Sequence, residues 1–117
     1  MKENILKKKS FDFALRIAKL YKYLYEEQKE FTISKQLLRS GTSPGAMIRE
    51  AEFAESKSDF IHKMAVAQKE TNEVMYWLEL LYAAEYLSEQ HFESIYADAV
   101  EVMKLITSSI KTAKANH

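Results

Sequence analysis

Few side chains in this sequence could do chemistry, and the histidines are the first to consider. The chain has three histidines and no cysteine, so a thiol nucleophile and a thiolate zinc site are excluded. Di-metal sites in helical bundles need Glu-x-x-His pairs and further Glu residues from separate helices. The sequence offers one comparable pair, Asp59-x-x-His62. We therefore expect neither a bound metal nor another cofactor.

The glycines and hydroxyl side chains near the middle of the chain resemble a phosphate-binding loop only superficially. The segment Ser40-Gly41-Thr42-Ser43-Pro44-Gly45 lacks the Gly-x-x-x-x-Gly-Lys-Ser/Thr spacing, and no strand precedes it. No Gly-x-Ser-x-Gly turn is present to expose a serine nucleophile. We interpret the segment as an interruption between helical turns and not as a ligand-binding loop. We also predict that the protein is not an enzyme.

Basic side chains are the candidates for ligand binding. Phosphate contacts from a single chain would give weak, salt-sensitive binding, whereas several subunits on one rigid surface would multiply it. One hypothesis is a homo-oligomeric binding or scaffold protein with an RNA, DNA or ribonucleoprotein partner, and a solvated basic face is the alternative for these side chains. The alternative function is a protein–protein interaction scaffold without nucleic-acid binding, in which the acidic surface of the third and fourth helices meets a partner. The candidate nucleic-acid contacts are Lys7, Lys8, Lys9, Arg16, Lys19, Arg39, Arg49, Lys57 and Lys63.

The charges balance overall but are unevenly distributed. Seventeen basic and seventeen acidic side chains give a net charge of zero. Residues 1–69 hold fourteen basic and nine acidic side chains, whereas residues 70–103 hold eight acidic ones and no basic one. One interpretation is ion pairing between neighbouring helices. The other is a functional polarity, such as head-to-tail assembly or an anionic partner.

Hydrophobic periodicity predicts the elements that position these side chains. Two glycines and one proline in 117 residues are too few for the corners of a β-sandwich or barrel. Apolar residues instead recur at spacings of three and four, which is typical of helices that face a core. We predict an all-α, antiparallel up-down-up-down four-helix bundle in one domain over 1–117, with disordered or frayed ends at about 1–8 and 113–117.

Cap residues mark the predicted helix boundaries. Ser10 is the expected N-cap of the first helix, and Thr32 or Ser34 that of the second. We expect the second helix to be broken or kinked near Gly41–Pro44, because proline lacks the N–H that an uninterrupted helix uses. A capping cluster at 56–59 starts the third helix and Ser88 the fourth.

The first helix has more apolar surface than a small bundle needs. Phe11, Ala14, Leu15, Ala18, Tyr21 and Tyr25 form a stripe that we expect to face the core. A second stripe is either embedded in the same bundle or contacts another subunit, and we favour the subunit contact. The residues of this candidate subunit interface are Phe13, Ile17, Leu20 and Leu24.

No segment of the sequence predicts export or a membrane. The basic start of the chain leads into a stretch interrupted by charges, unlike a signal peptide, and apolar runs are too short to span a bilayer. We expect a cytoplasmic protein without a membrane partner.

Several short segments, taken in order along the chain, resemble the 23S rRNA-intervening-sequence proteins. This bacterial family is similar to the accessory variability determinant of diversity-generating retroelements. The similar segments are 38–51 (LRSGTSPGAMIREA), 58–64 (SDFIHKM), 67–73 (AQKETNE) and 76–81 (YWLELL).

This resemblance implies a four-helix bundle that forms a homopentameric ring, without a settled biochemical activity. The retroelement relative binds nucleic acid and a reverse transcriptase through basic surfaces, so the resemblance also implies a nucleic-acid partner. This chain departs from the pattern at Met47, where the family usually has Asn, and in its neutral charge.

Overall fold

Four α-helices account for most of the chain, as the sequence predicts. The computed structural model describes the backbone of residues 2–116 and the side chains of residues 5–116. Within these residues, the helices are α1 (Lys2–Glu26), α2 (Ile33–Ala51), α3 (Lys57–Ala83) and α4 (Glu89–Ala115). They form a rod of 49 × 22 × 20 Å.

The helices stand at the corners of a square. α1 and α3 each pack against both α2 and α4, and no diagonal pair makes contact within residues 2–116. The side of the bundle formed by α1 and α2 is therefore opposite the side formed by α3 and α4. The α1–α2 and α3–α4 connections meet at one end, where Tyr23 and Gln28 line a depression together with Tyr82 and Tyr86.

The core positions predicted for α3 and α4 are confirmed. On α3, Met64, Ala67, Thr71, Val74, Leu78 and Leu81 are buried, and Phe60 packs at the edge of the core. On α4, the buried residues are Ile95, Ala99, Val102, Ile106 and Ile110. Spacings of three and four bring each set onto one side of its helix.

The two stripes of α1 have the opposite roles from those predicted. Phe13, Ile17, Leu20 and Leu24 are at most 3% exposed because they fill the core of their own bundle. These side chains have no surface left for another chain, so their assignment as the subunit interface is wrong. The stripe expected in the core is instead the outer one, and three of its side chains, Phe11, Leu15 and Tyr25, are exposed.

Close packing between α1 and α2 explains which stripe is buried. A Cβ atom on Gly41 would lie 2.7 Å from Cγ2 of Ile17, so glycine lets the two helices approach at this point. One turn to either side of Gly41, Gly45 lies over the backbone of Ser10 and Leu37 is fully buried. The small residues of α2 therefore select the Ile17 side of α1.

The predicted helix starts are partly correct. The side chains of Ser56 and Ser88 accept hydrogen bonds from the amides of Asp59 (3.0 Å) and His91 (3.1 Å), which confirms both N-caps. Ser10 is not a cap, because α1 begins at Lys2 and the buried Ser10 hydroxyl donates to the Lys7 carbonyl oxygen. Residues 5–8 and 113–115 are helical, the fraying of the two ends stays a prediction, and Met1 and His117 lie outside the described residues.

Thr32 is the N-cap residue of α2, one of the two predicted candidates, but its side chain makes no capping hydrogen bond, and Glu30 supplies the acceptor instead. Its carboxylate accepts hydrogen bonds from the amides of Thr32, Ile33 and Ser34 at 3.2, 3.1 and 2.6 Å. The Ser34 hydroxyl donates to the Glu30 carbonyl oxygen at 2.7 Å. An acidic group here also interacts favourably with the positive end of the helix dipole.

Positive φ angles occur at two non-glycine residues of the described chain. Lys29 (φ 55°) follows α1, and Glu85 (φ 69°) follows α3. After Glu85, the Tyr86 amide bonds back to the Leu81 carbonyl oxygen at 2.9 Å, as in a Schellman helix end. Both connections thus reverse the chain without glycine.

α2 is continuous through Pro44, so the predicted break is wrong; the kink stays a prediction. Pro44 is buried inside the helix, where its ring leaves the Ser40 carbonyl oxygen without the usual amide donor. Hydroxyls nearby bond backbone carbonyls of the preceding turn: Ser40 donates to Gln36 and Thr42 to Leu38. Tertiary packing of the Gly41–Pro44 surface against the bundle outweighs the local cost of proline.

Candidate interaction surfaces

The outer side of α1 and α2 presents a row of exposed apolar side chains, which we call the apolar face. It is defined by Phe11, Leu15 and Tyr25 of α1, by Phe31 of the α1–α2 connection and by Phe53 just after α2. Their exposed fractions are 54, 47, 40, 45 and 87%. Large exposed apolar side chains gathered on one side of a molecule favour a contact surface there.

The apolar face is ordered by contacts among its own side chains. Tyr25 meets Phe31 edge to face, with ring centroids 4.7 Å apart, and lies 5.7 Å from Tyr21. The guanidinium of Arg49 lies over the Phe11 ring at 5.5 Å, a cation–π distance. A shallow groove of about 260 Å³ runs between the helices beside Phe11.

The opposite side of the bundle has a second surface, the acidic aromatic patch. It consists of the rings of Tyr82, Phe92 and Tyr96 and the exposed carboxylates of Glu79, Glu89 and Glu93. Tyr82 stacks on Phe92 with centroids 4.6 Å apart, and Phe92 lies 5.0 Å from Tyr96. The Tyr96 hydroxyl donates to Glu79 at 2.6 Å, and this hydrogen bond raises the pKa of Tyr96 to about 12.

Three of the predicted nucleic-acid contacts on α1 are paired with acidic side chains along the α1–α4 side. Arg16 bonds Asp98 at 2.7 Å, and Lys9 lies 3.4 Å from Glu101. Lys8 pairs within α1, at 2.9 Å from Asp12.

Three more of the predicted contacts pair along α2. Arg39 bonds Glu70 at 3.0 Å and also Glu73 of α3. Lys63 lies 3.1 Å from Glu50, whose hydrogen bond raises the pKa of Lys63. Lys7 reaches Glu52 at 3.2 Å. Much of the uneven charge along the sequence is therefore matched between neighbouring helices.

The structure does not gather the nine basic residues onto one face. Arg16 lies on the α1–α4 side, Arg39 on the α2–α3 side and Arg49 on the α1–α2 side. Of these nine residues, Lys19, Arg49 and Lys57 form no ion pair within 4 Å with the described side chains. Nucleic-acid contact by these residues stays a prediction.

The residues considered for metal binding have structural roles or lie apart. The Asp59 carboxylate accepts a hydrogen bond from the Glu55 amide at 3.1 Å, next to the Ser56 cap, while His62 is exposed. Within the described side chains, no three of His, Asp and Glu are placed to hold a metal ion. No helix of residues 2–116 is both long and apolar enough to cross a membrane.

Comparison with known proteins identifies the family of this chain. The model of the 23S rRNA-intervening sequence protein family matches residues 2–108. The chain belongs to this family. This confirms the resemblance found in the segments around Gly41–Pro44 and Tyr76–Leu81.

A solved structure supports the same conclusion. The chain is 58% identical to a protein of unknown function from the S23 ribosomal protein family of Bacteroides thetaiotaomicron VPI-5482, with a TM-score of 0.94. The similarity covers 95% of this chain and 99% of the other. No curated protein matches the chain.

The sequence could have signalled the two surfaces only in part. Periodicity correctly detected two apolar stripes on α1 but not which one is buried. The acidic aromatic patch has a clearer sequence signal, because Glu79 and Tyr82, Glu89 and Phe92, and Glu93 and Tyr96 are each three residues apart on their helices.

Proposed function

We propose that this protein is a non-enzymatic, homo-oligomeric scaffold whose subunits join through the apolar face. The observation that supports this proposal is the row of exposed side chains from Phe31 to Phe53, beside a core that is already complete. Burying a large apolar side chain in an interface contributes roughly 1.5–3 kcal/mol of transfer free energy. Aromatic anchors of this kind dominate the energetics of protein interfaces.

A pentameric ring is the assembly that the family resemblance implies, and we adopt it as the expected state. The function of the Bacteroides protein is itself unknown, so the family membership alone supplies no activity. In a scaffold of this kind, the repeated outer surfaces of the ring would bind the physiological partner.

Sedimentation velocity at micromolar concentration tests the oligomer and its surface. We expect the wild type to sediment as an oligomer and the double variant Phe11→Glu/Leu15→Glu to sediment as a folded monomer. Ile5→Glu is the matched control, because Ile5 is also an exposed apolar residue of α1 (50%) but lies one turn before Lys9, on the α1–α4 side away from the apolar face. A monomeric wild type would overturn the proposal.

Nucleic-acid association is the second candidate function. The family description names an rRNA intervening sequence, and Lys19, Arg49 and Lys57 are cations outside the ion pairs of the described side chains. Because the structure spreads the predicted contacts over several sides of one bundle, an oligomer would have to bring the cations of several subunits together to hold a phosphate backbone.

A further inference from the structure

The apolar face is bordered by basic side chains at the end of the bundle where α1 and α2 connect. Lys22 follows Ala18 by four residues and precedes Tyr25 by three, so it lies on the same side of α1. On α2, Lys35 precedes Thr42 by seven residues, or two turns, and so shares the side of α2 on which Thr42 lines the groove beside Phe11. Both lysines are exposed, and neither has an acidic group within 4 Å among the described side chains.

The acidic aromatic patch carries the opposite charge and lies at the same height along the rod as Lys22 and Lys35. Glu79, Glu89 and Glu93 are exposed and form no ion pair with the described side chains. Residues 70–103 contain no lysine or arginine that could offset them. The two helix connections share one end of the bundle, so the lysines and the carboxylates lie at matching heights on opposite sides.

We propose that one subunit's apolar face, with Lys22 and Lys35, packs against the acidic aromatic patch of the next subunit, with the two rods side by side and parallel. This inference rests on the proposed function, since it requires a second copy of the chain. It makes the contact heterologous: two different surfaces meet, and the same contact repeats to form a ring or an open row.

Charge complementarity favours this pairing over contact between two apolar faces. An isologous contact between parallel rods would bring Lys22 and Lys35 close to their own copies, and one between antiparallel rods would place them toward the partner's Arg49, a further cation on this face. Like charges at an interface oppose association. The heterologous contact instead places them near three carboxylates. It also covers exposed rings of both surfaces, including Tyr25 and Phe31 on one and Tyr82 on the other.

A charge-swap experiment tests the pairing, and sedimentation at low and high salt measures the association of each variant. One variant reverses the face (Lys22→Glu/Lys35→Glu), a second reverses the patch (Glu89→Lys/Glu93→Lys), and a third combines all four changes. We expect each double variant to weaken association at least tenfold at low salt, and the combined variant to restore it. Lys69→Glu is the control for a charge reversal on an exposed part of α3 outside both surfaces.

The outcomes separate this inference from the proposed function. A monomeric wild type would overturn both. An oligomeric wild type whose association is unaffected by reversing the patch would overturn the heterologous pairing and leave the scaffold intact. A combined variant no better than either double variant would also overturn the pairing. Circular dichroism of each variant shows that it is folded, so that loss of association reports on the interface.

Discussion

At the scale of single residues, Gly41 determines how closely α1 and α2 approach. A methyl group at this position would lie 2.7 Å from Cγ2 and 2.8 Å from Cγ1 of the buried Ile17. At Gly45, the nearest atom to a new methyl group is the Ser10 carbonyl oxygen, at an ordinary contact distance of 3.5 Å. The two glycines occupy the same helix, four residues apart, and so form a matched pair.

We expect Gly41→Ala to lower the free energy of unfolding by about 1–3 kcal/mol, the usual cost of overpacking a core. Gly45→Ala should instead raise it by up to about 1 kcal/mol, because alanine favours the helix more than glycine does. Urea denaturation of both variants measures these changes. Equal effects of the two substitutions would contradict the close contact with Ile17.

Tyr96 provides a second test at the residue scale. Its pKa is raised to about 12 from an ordinary value of 10.0, mainly by the hydrogen bond to Glu79. Between these two pH values the unfolded state loses the Tyr96 proton while the folded state keeps it. The stability that Tyr96 contributes is therefore complete below pH 10 and is lost as the pH rises through about 12.

We expect the tyrosinate absorbance of the wild type to include one group that titrates near pH 12. Glu79→Ala should move that transition back toward the ordinary pKa of tyrosine, because both the hydrogen-bond acceptor and the negative charge are removed. Tyr96→Phe identifies the transition by eliminating it. An unchanged titration in Glu79→Ala would show that the hydrogen bond does not control this tyrosine.

At the scale of elements, α2 is the helix whose capping group and continuity the sequence does not predict. Its N-terminal amides are satisfied by Glu30, a residue outside the usual Ser, Thr, Asp and Asn set of N-caps. The three hydrogen bonds depend on the turn at Lys29, which aims the Glu30 carboxylate at the helix end. Sequence patterns do not encode that turn, because lysine rarely adopts a positive φ.

We expect Glu30→Ala to lower the free energy of unfolding by about 1–2 kcal/mol, since the amides of Thr32, Ile33 and Ser34 lose their acceptor. Glu30→Gln should have a smaller effect because one acceptor oxygen remains. Glu27→Ala is the control, as Glu27 is exposed in the same connection. Thermal unfolding monitored by circular dichroism compares the three, and a Glu30→Ala variant as stable as the control would rule out the cap.

The fold class, the order of the helices and the core of α3 and α4 could all be predicted from spacing alone. The choice between the stripes of α1 could not, because Phe13 and Phe11 are equally apolar. The small residues of α2 decide it, and their effect depends on tertiary contact. The continuity of α2 escaped prediction for a similar reason: Pro44 opposes a helix locally, but its burial against the bundle is a tertiary term.

At the scale of the whole molecule, the neutral net charge conceals a surface on which many charges are matched in place. Arg16–Asp98 and Arg39–Glu70 join neighbouring helices, and such exposed pairs contribute about 0–1 kcal/mol each. They also reduce the positive potential available to a phosphate backbone. We therefore expect a single subunit to bind nucleic acid weakly.

We expect RNA binding, where it occurs, to require the oligomer and to decrease steeply with salt. A filter-binding titration should give a dissociation constant for the wild type no tighter than about 10⁻⁶ M near physiological salt, as for non-specific contacts. The monomeric Phe11→Glu/Leu15→Glu variant should bind more weakly still. Equal affinities of the two would show that assembly plays no part, and absence of binding by the wild type at about 50 mM salt would eliminate the second candidate function.

The two residues with positive φ in the helix connections also bear on how selection could raise the thermal stability of this protein. Lys29 and Glu85 hold a backbone conformation that costs a side-chain-bearing residue roughly 1 kcal/mol more than glycine. A chain that keeps such residues at both turns is below its attainable thermal stability. A library of variants screened for heat resistance should therefore become enriched in glycine at positions 29 and 85. The more stable protein obtained in this way would tolerate destabilising substitutions on its surfaces.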